Sequence, residues 1–149
     1  MGAVTPEKPA IRRAVIEDAS VLAVLSGELG YPVETDEIER RLASLPPDDE
    51  VWVAAIDGTV VGWIHCSVRR TLVVEPHLEI LGNVVGERWR GRGVGRALMA
   101  AAEASARERR VSVVRLRSAS HRDSAHDFYR ALGYREQKTQ LVFVQELEP

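Results

Sequence analysis

The 149-residue sequence contains one cysteine, only two lysines beside eighteen arginines, and no apolar run of eighteen residues. A single thiol, Cys66, excludes an intramolecular disulfide and a cysteine-based zinc site, so we expect a reducing compartment and no metal. The short apolar runs argue against a membrane-spanning helix. The start, MGAVTPEKPA, lacks the apolar core of a signal peptide. We therefore expect a cytoplasmic protein that binds no membrane.

A net charge of −2 leaves the chain without the overall basic field that attracts nucleic acid. The arginines are also not interleaved with aromatic residues, so we expect no nucleic-acid partner. A hydrophobic fraction of 45% and a charged fraction of 28% are typical of a globular domain. We predict a loose arm over residues 1–9 and one domain over residues 10–149.

Hydrophobic periodicity predicts an alternation of strands and helices along the chain. The predicted strands are 10–15, 50–56, 59–68, 78–85, 111–116 and 139–147, and the predicted helices are 17–29, 35–45, 94–109 and 120–134. Asp57-Gly58 predicts a two-residue hairpin. The strand–helix–strand unit over 78–116 requires a right-handed crossover between parallel strands. The fold class is therefore α/β, with a mixed central sheet covered by helices on both faces.

The segment ERWRGRGVGRALM, residues 87–99, places four arginines and three glycines where a helix begins. A helix N-terminus is positive and disfavours cations, unless a polyanion occupies it. A dinucleotide fingerprint fails because Arg96 stands where its third glycine belongs, and a P-loop fails because Arg92-Gly93 replaces its Lys-Ser/Thr pair. Two readings remain open: a solvated loop, or a pyrophosphate cradle made of backbone N–H groups.

Two motifs resemble one known family, the GCN5-related N-acetyltransferases (GNAT). Arg90-Gly91-Arg92-Gly93-Val94-Gly95 is similar to its Arg/Gln-x-x-Gly-x-Gly/Ala signature, and the segment 125–134, AHDFYRALGY, is similar to its Phe-Tyr-x-x-x-Gly-Phe/Tyr segment. The order of elements agrees over essentially the whole chain. The resemblance implies a mostly antiparallel sheet of six to seven strands with a splayed parallel pair, which is the acyl-CoA N-acyltransferase fold.

The resemblance also implies acetyl-CoA as cosubstrate. The turn would hold its pyrophosphate through the residues Arg90, Gly91, Arg92, Gly93, Val94, Gly95 and Arg96. The pantetheine arm would lie along the preceding strand, beside the backbone of Val84 and Val85. Gly82 is a plausible bulge, because glycine inside a strand often marks one. Arg122 replaces an asparagine that many relatives use to contact the coenzyme, and we include it in the coenzyme site.

The resemblance implies Tyr129 as the general acid that protonates the departing thiolate. The other reading is that Tyr129 packs in the core beside Phe128. Because a lysine-like amine has a pKa of ~10.4, a base is expected near the acceptor. We predict Glu79 for this role, directly or through water, with His77 as the alternative and an exposed edge carboxylate as the other reading of Glu79.

The predicted function is acetyl transfer to a primary amine of a small molecule, by direct attack in a ternary complex. Its motifs look closest to the aminoglycoside-type members of the family. Carboxylates and a tyrosine in the variable segments suit a cationic acceptor: Glu28, Tyr31, Glu34, Asp36, Glu37 and Glu75. The alternatives are a protein or peptide acetyltransferase and a non-catalytic acetyl-CoA-binding module. We also expect a homodimer, since such domains often pair.

Overall fold

The structure, a computed structural model, describes residues 8–149. The loose arm predicted for residues 1–9 falls mostly on residues 1–7, which lie outside the described residues. Two compact units divide the chain, one ending at Arg117 and the other spanning Ser118–Pro149. A single domain over residues 10–149 stays a prediction.

The first unit contains five strands and three α-helices. They are β1 (Ala10–Arg13), α1 (Ala19–Glu28), α2 (Thr35–Ala43), β2 (Asp49–Ile56), β3 (Thr59–Arg69), β4 (His77–Val85), α3 (Val94–Glu108) and β5 (Val114–Leu116). The second unit contains α4 (Asp123–Ala131). Short 3₁₀ turns precede α1 and follow β4, at Ile16–Asp18 and Glu87–Trp89. Each of these strands and α-helices was predicted from the sequence, with ends that differ by a few residues.

The strands form one mixed sheet in the order β1-β2-β3-β4-β5. All pairs are antiparallel except β4 and β5, which are parallel, so the predicted crossover is confirmed. The hairpin between β2 and β3 is confirmed too, because Asp57 and Gly58 both adopt positive φ, at 50° and 77°, as a type I′ turn requires.

The sheet has five strands rather than the six to seven expected. The predicted final strand, 139–147, is wrong: residues 135–149 form no strand or helix. A strand needs a partner for its backbone groups and a surface for its apolar side chains. Instead, the side chains of Leu141, Val142, Phe143 and Val144 are between 81% and 88% exposed. The alternation of apolar and polar residues is therefore not sufficient to predict a strand in this segment.

Helices cover both faces of the sheet, as predicted. On one face, α3 lies so close to β3 that a Cβ atom on Gly62 would be 3.2 Å from side-chain atoms of Val94 and Leu98. On the other face, Leu22 and Leu25 of α1 join the buried cluster that contains Val53 and Val84.

A β-bulge interrupts β4 opposite β3. Cys66 pairs with Ile80 and His65 pairs with Gly82, so Leu81 is the extra residue. The predicted bulge is thus one residue before Gly82. The glycine itself is needed for a different reason, because a Cβ at this position would lie 2.7 Å from the ring of Trp63. The bulge reverses the alternation of β4, so that Glu79 shares a face with Gly82 and Val84 rather than with Asn83.

Within residues 8–149, no helix is both long enough and apolar enough to cross a bilayer.

Candidate active site

The glycine turn after β4 exposes backbone donors at the start of α3. Gly91 and Gly93 have positive φ, 76° and 82°, which is the left-handed region that favours glycine. Gly93 is the N-cap, and the N–H of Ala97 makes a helical bond to its carbonyl at 3.0 Å. The first N–H groups of an α-helix have no intrahelical acceptor, and they carry the positive end of the helix dipole. The start of α3 therefore presents the N–H groups that an anion needs.

The arginines of this turn lie around that helix start and are exposed. The guanidinium of Arg92 stacks over the ring of Trp89 at 5.1 Å from its centroid. Arg90 donates from Nε to the carbonyl of Val85 at 3.3 Å. Arg96 is exposed on the first turn of α3. Each guanidinium keeps donors available, because Arg carries five N–H groups. The turn combines backbone donors with cations, which suits a phosphate ligand.

β4 and β5 pair over three residues only, Leu78, Glu79 and Ile80, whereas β4 continues to Val85. The bulge at Leu81 begins where this pairing ends. Beyond it lie Val84, whose side chain is buried in the core, and Val85, whose carbonyl accepts the bond from Arg90. The part of β4 predicted to run beside the pantetheine arm is therefore the part that extends past β5.

Glu79 is buried, with 8% of its surface exposed, and both of its carboxylate oxygens are engaged. Arg117 donates to Oε1 at 2.7 Å, and Nε of Arg69 lies 3.4 Å from Oε2. This contradicts the reading of Glu79 as an exposed edge carboxylate. Two charge-assisted contacts hold the carboxylate in one orientation.

His77, the alternative base, is buried at the start of β4. Its Nδ1 lies 3.0 Å from the carbonyl oxygen of Glu75. A carbonyl oxygen only accepts hydrogen bonds, so Nδ1 carries the proton and Nε2 the lone pair.

Sequence reasoning missed a polar cluster on β2 and β3, formed by Asp49, His65 and Ser67. His65 Nε2 lies 2.8 Å from Asp49 Oδ2, and Ser67 donates from Oγ to Asp49 Oδ1 at 2.5 Å. Ser67 pairs with Glu79 across the strands, so the cluster and Glu79 share one face of the sheet. Nothing in the sequence marked these residues, because they are far apart in the chain and belong to no motif.

Tyr129 and Arg122 belong to the second unit. The half-buried ring of Tyr129 meets Phe128 edge-on at 5.1 Å between centroids, and Tyr134 at 6.1 Å. Arg122 immediately precedes α4, where its carbonyl accepts the N–H of His126 at 3.2 Å. The structure thus brings Glu79, Val84, Val85 and the glycine turn together in the first unit, while the predicted acid and Arg122 are described within the second.

The acidic residues predicted to attract a cationic acceptor are engaged in different ways. On α2, Asp36 and Glu37 form ion pairs with arginines of the same helix, at positions 40 and 41. Glu28 accepts the backbone N–H of Glu87 at 3.1 Å. Tyr31, Glu34 and Glu75 are exposed. Exposed pairs within a helix contribute little to stability and are readily exchanged for a ligand.

Comparison with known proteins gives concordant matches. Residues 18–134 match the model of the "Acetyltransferase (GNAT) family". An aminoglycoside N(6')-acetyltransferase type 1 from Stenotrophomonas maltophilia is 33% identical over 147 residues, which covers 95% of each chain. Among solved structures, AAC(6')-Iy in complex with the bisubstrate analogue CoA-S-monomethyl-acetylneamine superimposes with a TM-score of 0.84 at 18% identity, covering 95% of this chain and 100% of that one. An acetyltransferase described as putative, from Agrobacterium tumefaciens strain C58, gives a TM-score of 0.81 at 26% identity, covering 91% and 99%.

Proposed function

The chain belongs to the GNAT acetyltransferase family, and from that premise we propose that it transfers the acetyl group of acetyl-CoA to a primary amine of a small, cationic molecule. The observation that carries this proposal is the glycine turn at the start of α3. Its left-handed glycines and surrounding arginines offer a diphosphate the N–H groups and the positive charge that it requires.

We propose that the coenzyme is held by residues 90–96, by the backbone of Val84 and Val85, and by Arg122. The stacking of Arg92 on Trp89 keeps one guanidinium beside the turn, and the bond from Arg90 to Val85 links the turn to β4. These contacts support one continuous path from the phosphate site to the strand edge. The residues fit the ligand, since each region supplies donors of the kind that phosphate or amide groups accept.

Direct transfer between the two substrates is favoured over an acetylated cysteine. Cys66 is the only cysteine of the chain, and it is buried in the sheet. Burial raises the pKa of its thiol to about 11. A thiolate is the nucleophilic form of cysteine, and such a thiol holds very little of it at neutral pH. The amine itself is therefore the nucleophile that attacks the thioester carbon.

Two proton transfers accompany this attack. We propose Tyr129 as the acid that protonates the leaving sulfur and Glu79 as the predicted acceptor of the amine's proton. Because Oε1 of Glu79 accepts a hydrogen bond from Arg117 and Oε2 forms an ion pair with Arg69, Glu79 would act through water rather than by direct contact. These roles follow from the family motif and from the position of Glu79 on β4.

A small-molecule acceptor is supported by the match over 95% of both chains to an enzyme named for aminoglycosides. An aminoglycoside is a polycation, and the exposed Glu34 and Glu75 suit such a ligand. We extend the proposal to this class of acceptor. A peptide amine and a binding module without catalysis are the competing functions. The expected cytoplasmic location and homodimer belong to the same proposal, with the exposed apolar run at 141–144 supporting self-association.

The experiment that tests the proposal measures acetyl-CoA binding by calorimetry and thiol release with three acceptors: an aminoglycoside, a polyamine and a lysine peptide. We expect binding, and turnover that is fastest with the aminoglycoside. Turnover of the peptide alone would favour a protein acetyltransferase. Binding without turnover would favour the module, and neither binding nor turnover would refute the coenzyme site.

Gly93→Ala provides the sharper form of this test. A side chain in the left-handed region costs roughly 1–2 kcal/mol, and relief of that strain would turn the N–H groups of the helix start away from the ligand. We expect the Kd for acetyl-CoA to rise by about tenfold or more. Gly27→Ala is the matched control, because Gly27 lies in α1 with open space around its Cα and no positive φ. Equal affinities of the two variants would contradict the cradle.

A further inference from the structure

In the cluster of Asp49, His65 and Ser67, hydrogen bonds hold the His65 ring in one orientation. An ionised carboxylate only accepts hydrogen bonds, so the 2.8 Å contact between Nε2 and Asp49 places the imidazole proton on Nε2. The lone pair then lies on Nδ1. Ser67 holds the second oxygen of the same carboxylate at 2.5 Å and so fixes its orientation. The imidazole is thereby held in a single tautomer with a basic nitrogen facing away from the carboxylate.

His65 lies beside the bulge of β4. It pairs with Gly82 in the register of β3 and β4, on the face that also carries Glu79. Paired residues of neighbouring strands project to the same side of the sheet. The ring of Trp63 fills the position over Gly82, where a Cβ would lie 2.7 Å from it. The His65 ring is nevertheless partly accessible, since 28% of its side chain is exposed while the Asp49 side chain is 11% exposed.

We propose that His65, positioned by Asp49 and Ser67, accepts the proton that the acceptor amine loses during acetyl transfer, in place of Glu79, whose two oxygens contact arginines. This inference rests on the function proposed above. One N–H bond of the ammonium breaks, a new N–H bond forms at Nδ1, and the freed lone pair attacks the thioester carbon. The C–S bond then breaks as the nitrogen loses its second proton, and that proton ends on the released thiol. Asp49 then faces an imidazolium and stabilises its charge. The proton leaves Nδ1 for solvent after the product departs.

The charges around His65 define how this step depends on pH. The charged and titratable side chains on the same face of the sheet lie on all five strands: Arg12 on β1, Asp49 on β2, Arg69 on β3, His77 and Glu79 on β4, and Arg115 on β5. Arg12 is bound to Asp18, and Arg117 to Glu79. The helices of that face contribute Glu28, Asp36 and Glu37, which are engaged by the Glu87 N–H and by Arg40 and Arg41. Asp49 is the carboxylate that touches the ring. Both oxygens of Glu79 contact arginines and His77 is buried, so His65 is the more accessible imidazole of this face.

His65→Gln is the matched substitution, because its amide N–H can keep the bond to Asp49 while the basic nitrogen is lost. We expect kcat with the best amine acceptor to fall by about a hundredfold, the usual scale of general base catalysis. Only the neutral form of an imidazole can accept the proton, so the wild-type profile of kcat/KM should contain an acid limb that the variant lacks. The amine's own titration is common to both proteins and cancels in the comparison.

Asp49→Asn tests the positioning role. We expect a smaller loss of kcat than in His65→Gln, because the imidazole keeps its basic nitrogen but loses the carboxylate that orients it. Asp48→Asn is the control, since this neighbouring aspartate has an exposed side chain. Acetyl-CoA affinity and the thermal midpoint are measured for every variant, and both should match the wild type. If His65→Gln does not fold, the kcat of Asp49→Asn and the pH profile of the wild type test the role of His65 instead.

The outcomes separate the two proposals. If the wild type acetylates no amine, the proposed function fails. If the wild type is active but folded His65→Gln keeps its rate and its acid limb, only the role of His65 is refuted. Glu79→Gln decides between the two bases: we expect it to retain the acid limb, and loss of that limb in Glu79→Gln alone would assign the proton to Glu79.

Discussion

Tyr129 is the proposed general acid, and phenylalanine can replace it while keeping its ring contacts. Its ring meets Phe128 and Tyr134 through edge-on contacts that a phenylalanine ring would also make. Tyr129→Phe should therefore preserve packing while removing the hydroxyl. We expect kcat to fall by about ten- to a hundredfold with an unchanged KM for acetyl-CoA, because the thiolate must then leave without a proton donor.

Steady-state thiol release across pH checks this prediction, with a thermal unfolding curve as the test of packing. A variant that unfolds at the wild-type temperature and keeps its kcat at every pH would return Tyr129 to a purely structural role.

Residues within motifs could be predicted from the sequence, whereas those joined by sheet register could not. The two motifs and the strand before the glycine turn give that turn, Tyr129 and Glu79 their predicted roles, which stay predictions. Counting outward from the Asp57-Gly58 turn would pair Asp49 with Cys66. A bulge near Val61 shifts the register by one, and Asp49 pairs with Ser67 instead. A single extra residue therefore decides whether Asp49 and His65 share a face, and no local pattern reports it.

At the scale of elements, Asp18 joins β1 to the beginning of α1. Its carboxylate accepts two hydrogen bonds from Arg12, at 2.8 and 2.9 Å, and a third from the N–H of Val15 at 2.8 Å. The hydrogen bonds from Arg12 lower the pKa of Asp18 more than its burial raises it. A carboxyl with a lowered pKa in the folded state stabilises the fold above its unfolded pKa of ~3.9. That contribution is lost as the pH falls through the lower, folded value.

Asp18→Asn should reduce the free energy of unfolding by about 1–2 kcal/mol at pH 7, allowing for the half-exposed guanidinium of Arg12. The difference from wild type should shrink as the pH falls below about 4, because the unfolded chain takes up a proton at Asp18 before the folded protein does. Urea unfolding at pH 7 and at pH 3 measures both quantities. Asp36→Asn, which breaks an exposed pair on α2, should have little effect at either pH. A difference for Asp18→Asn that is the same at both pH values would contradict the ion pair as its source.

Elements with a covered face were the ones that periodicity predicted well. The helices α1 to α3 and strands β1 to β5 each hold buried or partly buried apolar side chains, so the apolar period has a physical cause. The segment 139–147 shows the same alternation without such cover. Strand propensity describes how well side chains fit a half-buried pleated surface, and it does not supply that surface.

At the scale of the whole molecule, the exposed apolar run Leu141–Val144 favours association with another protein chain. Four consecutive apolar side chains, each more than 80% exposed, are unfavourable in water and typical of an association surface. We expect a homodimer in which two copies cover this run. Phe143→Asp should shift the protein to monomers at micromolar concentration, because association would bury an unpaired charge.

Sedimentation equilibrium measures this shift. Gln140→Asp places the same charge on a polar, exposed position of the segment and should leave the dimer intact. A wild-type protein that sediments as a monomer, or two variants that behave alike, would remove this run from the interface.

Because Cys66 is buried, the folded protein should not react with sulfhydryl reagents. Its thiol lies between strands with no exposed surface, and its raised pKa keeps it protonated. Every free thiol that a colorimetric reagent titrates during turnover would thus come from released coenzyme. A cysteine introduced anywhere on the surface would be the sole attachment point for a fluorophore or spin label.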